Sequence, residues 1–228
     1  MSPDLVNGLV YLVVFLFSVT LHEAAHAWAA KLGGDLTAYH GGQVSLDPIP
    51  HIKREPIGML VLPLVSVIAS GWPLGFASAP YDPIWAREYP KRAALMALAG
   101  PAANLLVVLI AAGLLRLGLA TVFHPPHAIR FGQLALAEEN SIWAGAAFLL
   151  SVLFSMNLLL AIFNMLPLPP LDGSGALPLL LDDKTTDVYL DFMWSNPTIG
   201  WVGLFIAWQI FGGLFRPIFQ IAAGLLYF

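Results

Sequence analysis

Three ionisable side chains stand together in an otherwise apolar run, Thr20-Leu21-His22-Glu23-Ala24-Ala25-His26. On a helix, residues four apart share a face, so both imidazoles can reach one ion. Glu23, directly after the first histidine, is placed to hold a water at that ion and take its proton. Two imidazoles, a carboxylate and an open position form a usual catalytic zinc set. Small residues at Ala24, Ala25 and Ala27 keep the helix slim where a substrate must approach. The competing reading makes the three residues interior polar groups that pair with one another. Inside lipid, however, each buried ionisable group costs roughly 2–3 kcal/mol or more, and three together call for a compensating cation.

Two histidines leave such a site one ligand short. Asp172 is the only acidic residue between Glu139 and Asp182, and it closes the run Asn164-Met165-Leu166-Pro167-Leu168-Pro169-Pro170-Leu171-Asp172-Gly173. Pro167, Pro169 and Pro170 cannot continue a helix, which opens the backbone just before Asp172. Alone, a Pro-rich stretch ending in Asp-Gly reads as a surface turn. Beside the histidine pair, Asp172 is the expected third ligand.

The elements that must position these residues belong to a membrane. The chain has 228 residues, of which 58% are hydrophobic and 11% charged, with a mean hydropathy of +0.77. Soluble domains carry about 25% charged residues, so the natural solvent here is lipid. A net charge of -4 gives no electrostatic footprint for nucleic acid. Without cysteine there is no disulfide, thiolate ligand or catalytic thiol. The first apolar run follows only Met1 to Asp4, with no basic lead, and so does not read as a cleavable signal peptide.

Apolar stretches cover residues 5–32, 57–72, 93–119, 142–166 and 199–228. Gly33-Gly34 stops the first; the second is short, holds Pro63 and gives way to Pro73, Gly75, Pro80 and Pro83; Gly212-Gly213 and Arg216-Pro217 interrupt the last. The expected fold is an all-α polytopic membrane protein of about five transmembrane helices. A re-entrant or strand-containing segment lies between the first and the next core span. One membrane-embedded domain, residues 1–228, is expected, with its core at about 9–177 and a C-terminal helical segment at 199–228. Lys31, Lys53, Arg54, Arg87, Lys91, Arg92 and Lys184 fall on one side if residues 57–72 dip and return, leaving Arg116 and Arg130 opposite. The positive-inside rule then puts the amino terminus outside and His26 and Asp172 towards the inner face.

At this point the chain resembles the site-2 proteases, zinc metalloproteases that cut substrates within the membrane. The resemblance rests on His22-Glu23-Ala24-Ala25-His26, on Asn164 to Gly173, which is similar to the family's N-x-x-P-x-P-x-L-D-G, and on Ala99-Gly100-Pro101-Ala102-Ala103-Asn104, similar to its A-G-P-x-x-N. It covers roughly residues 9–177 in the right order. It implies one zinc per chain on His22, His26 and Asp172, Glu23 as catalytic base, and Asn164 near the active site, holding substrate or the oxyanion. The chain resembles the minimal branch, without PDZ or CBS domains. Residues 42–48 and His51 also match that branch, which more often has Asn where Asp47 stands.

Further expectations follow. A strand at residues 74–79 would pair with an extended substrate peptide, making Gly75 and Phe76 substrate-binding; Asn104 and Pro170 are assigned to the same role, although helix-to-helix hydrogen bonding would also explain Asn104. His40 and His51 read as solvated loop residues. His124 and His127 lie on the opposite side from the metal. Residues 180–197 read as a solvated connection. The substrate class implied is a membrane-tethered regulatory protein, cut within or near its transmembrane segment, with a regulatory membrane partner as a further possibility. The implied location is a prokaryotic plasma membrane. The rival functions are a transporter that moves an ion through a metal site, and an inactive relative serving as a membrane binding module. Neither explains both Glu23 and the Asn164–Asp172 run.

Overall fold

A computed structural model describes the backbone from residue 3 to residue 228; Met1 and Ser2, and with them part of the N-terminal lead, lie outside the described residues. Helix α1 (Pro3–Gly33) is rich in Leu, Val, Ala and Phe. It ends where Gly34 turns left-handed at φ 103°, a conformation open to glycine at little cost. Two short helices follow, α2 (Thr37–His40) and α3 (Pro48–Arg54). A π-helical turn, Ile57–Val61, leads into α4 (Leu62–Ser70). Then come α5 (Pro83–Glu88), α6 (Pro90–Leu119), α7 (Ile142–Asn164), α8 (Asp172–Ala176), α9 (Asp183–Ser195) and α10 (Ile199–Gly224).

Helices α1, α6, α7 and α10 are long and apolar enough to cross a membrane, and Ile57–Ser70 is a shorter apolar helix. The protein is an all-α polytopic membrane protein. Helix α6 packs against both α1 and α7, while Val14 and Phe15 of α1 meet Val152 and Met156 of α7 in one buried cluster.

The excursion between α1 and α6 begins and ends at one end of this bundle. The Gly33 carbonyl accepts from Trp85 Nε1 and from Arg92 Nη1, both at 3.1 Å. Asp35 ties the same corner, taking the amide and hydroxyl of Thr37 on Oδ1 and the Asp82 amide on Oδ2. Between those anchors the chain dips deeply: a Cβ on Gly8, near the start of α1, would sit 3.0 Å from Val67. Residues 57–82 therefore form a re-entrant hairpin with a helical limb going in and an extended limb, 73–82, coming back. The expected strand at 74–79 is absent among the described residues. The extended limb pairs with the π-helical turn instead, through the Phe76 amide to the Gly58 carbonyl at 3.1 Å. Two glycines permit that approach, because a Cβ on Gly58 would strike the Phe76 carbonyl and one on Gly75 the Gly58 carbonyl.

Other boundaries move for local reasons. Asp47 and Asp82 cap α3 and α5 in the same way, each accepting the amide two residues on across a proline at the first helical position. Asn at position 47 would cap as well as Asp, so this departure from the family pattern is conservative. Helix α10 runs unbroken through Gly212-Gly213 and Pro217, where an interruption was expected. Residues 183–195, expected as a connection, form a helix capped by Asp182, which accepts from the Thr185 amide. Helix α7 ends at Asn164, two residues earlier than expected, ahead of the Pro-rich break.

Helix α10 covers that break: Leu166, Leu171 and Ala207 share a buried cluster, and a Cβ on Gly203 would strike the Pro169 carbonyl. Gly203→Ala is thus expected to lower the thermal midpoint in detergent through an overpacking penalty of about 1–3 kcal/mol. Gly213→Ala, where nothing lies within 4 Å, should leave the midpoint unchanged or raise it. Equal midpoints for the two variants would refute this packing of α10.

Candidate metal centre

Each histidine of the pair has one ring nitrogen already committed. His26 Nδ1 lies 2.7 Å from the Met96 carbonyl, and His22 Nδ1 lies 2.6 Å from Asn104 Oδ1. A carbonyl oxygen only accepts, so both rings carry a hydrogen on Nδ1, which leaves Nε2 as the nitrogen each can offer to an ion. Those two Nε2 atoms stand 2.9 Å apart on neighbouring turns of α1.

Asp172 completes the cluster from α8, where it is the first helical residue after the Pro-rich break. Its Oδ2 lies 3.0 Å from His22 Nε2 and its Oδ1 3.4 Å from His26 Nε2. Oδ2 is buried and has no hydrogen-bond partner among the described residues. Gly173 makes this position reachable: a Cβ there would collide with the Met165 and Leu166 carbonyls, so only glycine lets α8 tuck beneath the end of α7.

One donor atom from each of His22, His26 and Asp172 fits within 4.8 Å of the others. Two lone pairs and a carboxylate at these distances repel unless positive charge sits among them. Two imidazoles and a carboxylate are the donor set that zinc takes with a fourth position open. The residues present fit a divalent cation. Helix α6 leaves the room. Gly100 faces the histidines so closely that a Cβ would strike His26 Nε2 and come within 2.5 Å of His22 Nε2.

Glu23 is buried beside this cluster, and its Oε2 has no hydrogen-bond partner. Asn164 is half-buried at the last residue of α7, with no side-chain hydrogen bond among the described residues. Pro170 is exposed and rests 3.7 Å from where a Gly200 Cβ would be. Gly75 and the half-exposed Phe76 lie on the extended limb of the hairpin.

Two expectations need correcting. Asn104, assigned to substrate, is fully buried between helices and bonded to His22, so substrate cannot reach it. His51 is not a solvated loop residue: it is buried, and its Nε2 donates to the Ser45 carbonyl at 3.0 Å. Sequence reasoning missed Asn157 and Ser18, which hold Asn104 from behind. A polar residue facing another span was the available signal, and neither residue belongs to a recognisable motif.

Peptidase family M50 matches residues 10–189. YwhC of Bacillus subtilis is 36% identical over 167 residues, covering 72% of this chain and 65% of its own. Rip2 of Mycolicibacterium smegmatis is 29% identical over 194 residues, covering 81% and 64%. Rip2 of Mycobacterium tuberculosis H37Rv is 30% identical over 226 residues, covering 91% and 78%. All three are named, provisionally, as zinc metalloproteases. The chain spans just under two thirds of the length of the first two. No solved structure matches it significantly.

The gap at Gly100 supplies the test of the cluster. Gly100→Ala should lower metal content and affinity at least about tenfold, as losses of ligand orientation do. Equilibrium dialysis with zinc, together with a melt of the metal-free protein, separates loss of the site from loss of the fold. Undiminished affinity would show that the histidines do not converge on an ion beside α6.

Proposed function

The chain belongs to peptidase family M50, and from that premise we propose that it is an intramembrane zinc metalloprotease that cleaves membrane-tethered regulatory proteins within or near a transmembrane segment. One observation carries the reading. Two imidazole Nε2 atoms and a carboxylate converge inside a membrane-spanning bundle, next to a buried glutamate with a free oxygen. The names of the relatives support zinc and peptide hydrolysis.

In this reading His22, His26 and Asp172 hold one zinc per chain. When bound, zinc supplies a Lewis acid that polarises a peptide carbonyl and acidifies water. Glu23 holds the attacking water and takes its proton on Oε2 as the new C–O bond forms. It then hands that proton to the amine nitrogen as the C–N bond breaks, so it ends as it began. The Asn164 amide, with no partner of its own, donates to the oxygen on which negative charge develops. Low dielectric around Glu23 strengthens each of these interactions.

A helical substrate hides its scissile amide in hydrogen bonds and must be unwound first. The extended limb at residues 73–82 suits that task, with Gly75 and Phe76 exposed along it and Pro170 exposed at the break. The substrate peptide would lie along this limb as an added strand. Seven basic residues lie in the helix ends and connections at the end where α1 delivers His26, which by the positive-inside rule is the cytoplasmic side. A prokaryotic plasma membrane suits the short loops and the bacterial relatives. The domain division proposed is one catalytic domain over residues 1–228.

Two experiments address this. Purified protein should carry about one zinc per chain; Glu23→Gln should keep it while losing peptide cleavage by about 100-fold or more, and Asp172→Ala should lose both. Zinc at full strength without Asp172 would remove that residue from the ligand set. Gly75→Pro should impair cleavage of a membrane substrate while sparing zinc, and unchanged cleavage would exclude the extended limb as the docking edge.

A further inference from the structure

Behind His22 runs a chain of buried amides that the peptidase reading does not use. Asn104 Oδ1 faces His22 Nδ1, and Asn104 Nδ2 turns away to donate to Asn157 Oδ1 at 2.8 Å and to the Ser18 carbonyl at 3.3 Å. Asn157 Nδ2 donates in turn to Ser18 Oγ and to the Leu153 carbonyl, both at 2.9 Å. Ser18, Asn104 and Asn157 are each 0% exposed, so water cannot replace any of these partners.

The polarity of the chain is fixed from its far end. An amide side chain can flip, exchanging its oxygen and its NH2 with little change in shape. A backbone carbonyl cannot become a donor. The Leu153 carbonyl therefore requires an Asn157 nitrogen beside it, which leaves the Asn157 oxygen towards Asn104. That oxygen and the Ser18 carbonyl require the Asn104 nitrogen, which leaves the Asn104 oxygen towards His22. Facing an acceptor, His22 keeps its hydrogen on Nδ1 and its lone pair on Nε2.

We propose that Asn157, assisted by Ser18, is a positioning residue for the metal centre: it locks the Asn104 amide in the one orientation that holds His22 as a ligand through Nε2. The inference rests on the metal reading of His22, His26 and Asp172. Without Asn157, Asn104 keeps one long contact to the Ser18 carbonyl, and its flipped form would set an NH2 against the hydrogen on His22 Nδ1. His22 would then reverse its tautomer or turn its ring, and either change takes Nε2 out of the ligand set. His26 is secured separately by the Met96 carbonyl, so the loss should be confined to one ligand.

The test uses full-length protein in detergent, with zinc affinity measured by chelator competition and cobalt(II) as a spectroscopic substitute. Asn157→Leu should weaken zinc about 10- to 100-fold, the usual cost of removing a partner behind a ligating histidine, and shift the cobalt absorption bands. Asn157→Asp should restore affinity to within a few-fold, because a protonated carboxyl accepts from Asn104 and donates its one hydrogen to the Leu153 carbonyl, giving up only the bond to Ser18 Oγ. Ser155→Ala is the packing control. It removes a buried hydrogen bond from the same helix to the Gly132 amide, and should lower the melting temperature without changing affinity or spectrum. If Asn157→Leu does not fold, Ser18→Ala, which deletes only the hydroxyl that accepts from Asn157, should still weaken zinc measurably.

Wild-type affinity and an unshifted spectrum in Asn157→Leu or, failing its folding, in Ser18→Ala would overturn the proposal. So would an aspartate variant as weak as the leucine variant, or metal loss in Ser155→Ala that parallels its melting. Wild-type protein that binds no zinc would overturn the metal reading and this inference with it. The native affinity therefore tells which of the two has failed.

Discussion

The structure depends on one electrostatic constraint: two imidazole Nε2 atoms crowd to 2.9 Å of each other inside a membrane-spanning bundle. Neither ring can relieve the repulsion by turning its hydrogen inward, because each Nδ1–H is already claimed by an acceptor on α6. The relief must come from a positive charge, and the geometry leaves a place for one. In water such an arrangement would be solvated away. Among helices that exclude water it persists only because the surrounding elements hold it, so the packing of α1 against α6 and the chemistry of the site are one feature.

Asp172 shows how the same constraint shapes backbone. A helix continued past Asn164 would carry Asp172 two turns onward along the α7 axis, away from the histidines. Three prolines stop it, and the chain turns beneath its own end. Gly173 lets the short α8 approach the Met165 and Leu166 carbonyls just past the end of α7, and Gly203 lets α10 close over the Pro169 carbonyl. At both places a backbone oxygen occupies the space of a missing Cβ. The carboxylate is thus held by contacts that nothing larger than glycine could make, and α10 takes part although it lies beyond residues 10–189, where the family match ends.

The site was more legible in the sequence than the fold around it, and for physical reasons. His22, Glu23 and His26 announce themselves because ionisable groups are costly in an apolar span and because helical spacing is arithmetic. Asp172 stands out as a lone acid after prolines. Asn157 and Ser18 did not stand out, since single polar residues in spans are common and their meaning lies in what they face on another helix. Gly212-Gly213 and Pro217 read as a break, yet α10 runs through them, because in lipid a helix that satisfies its own backbone outweighs local propensity. His51 read as a loop residue because its neighbours are polar; that loop folds into α3, which turns the ring inward.

The same rule bears on the limb at residues 73–82. Irregular backbone at membrane depth survives only when buried in protein or lining a wet cavity. Here the Phe76 amide reaches the Gly58 carbonyl, the Leu74 amide reaches Ser66 Oγ, and the Ser78 carbonyl accepts from Arg54 Nε. The amides of Gly75, Ala77 and Ala79 have no partner among the described residues, and Gly75 is exposed. Lipid cannot satisfy them, so water or another extended chain must lie along this edge. The limb packs against Phe15, two helical turns before His22 on α1, which brings that polar edge to within about 10 Å of axial rise from His22. A bundle built to exclude water from its core therefore carries a polar rail along the approach to its ionisable residues, and α1 anchors both.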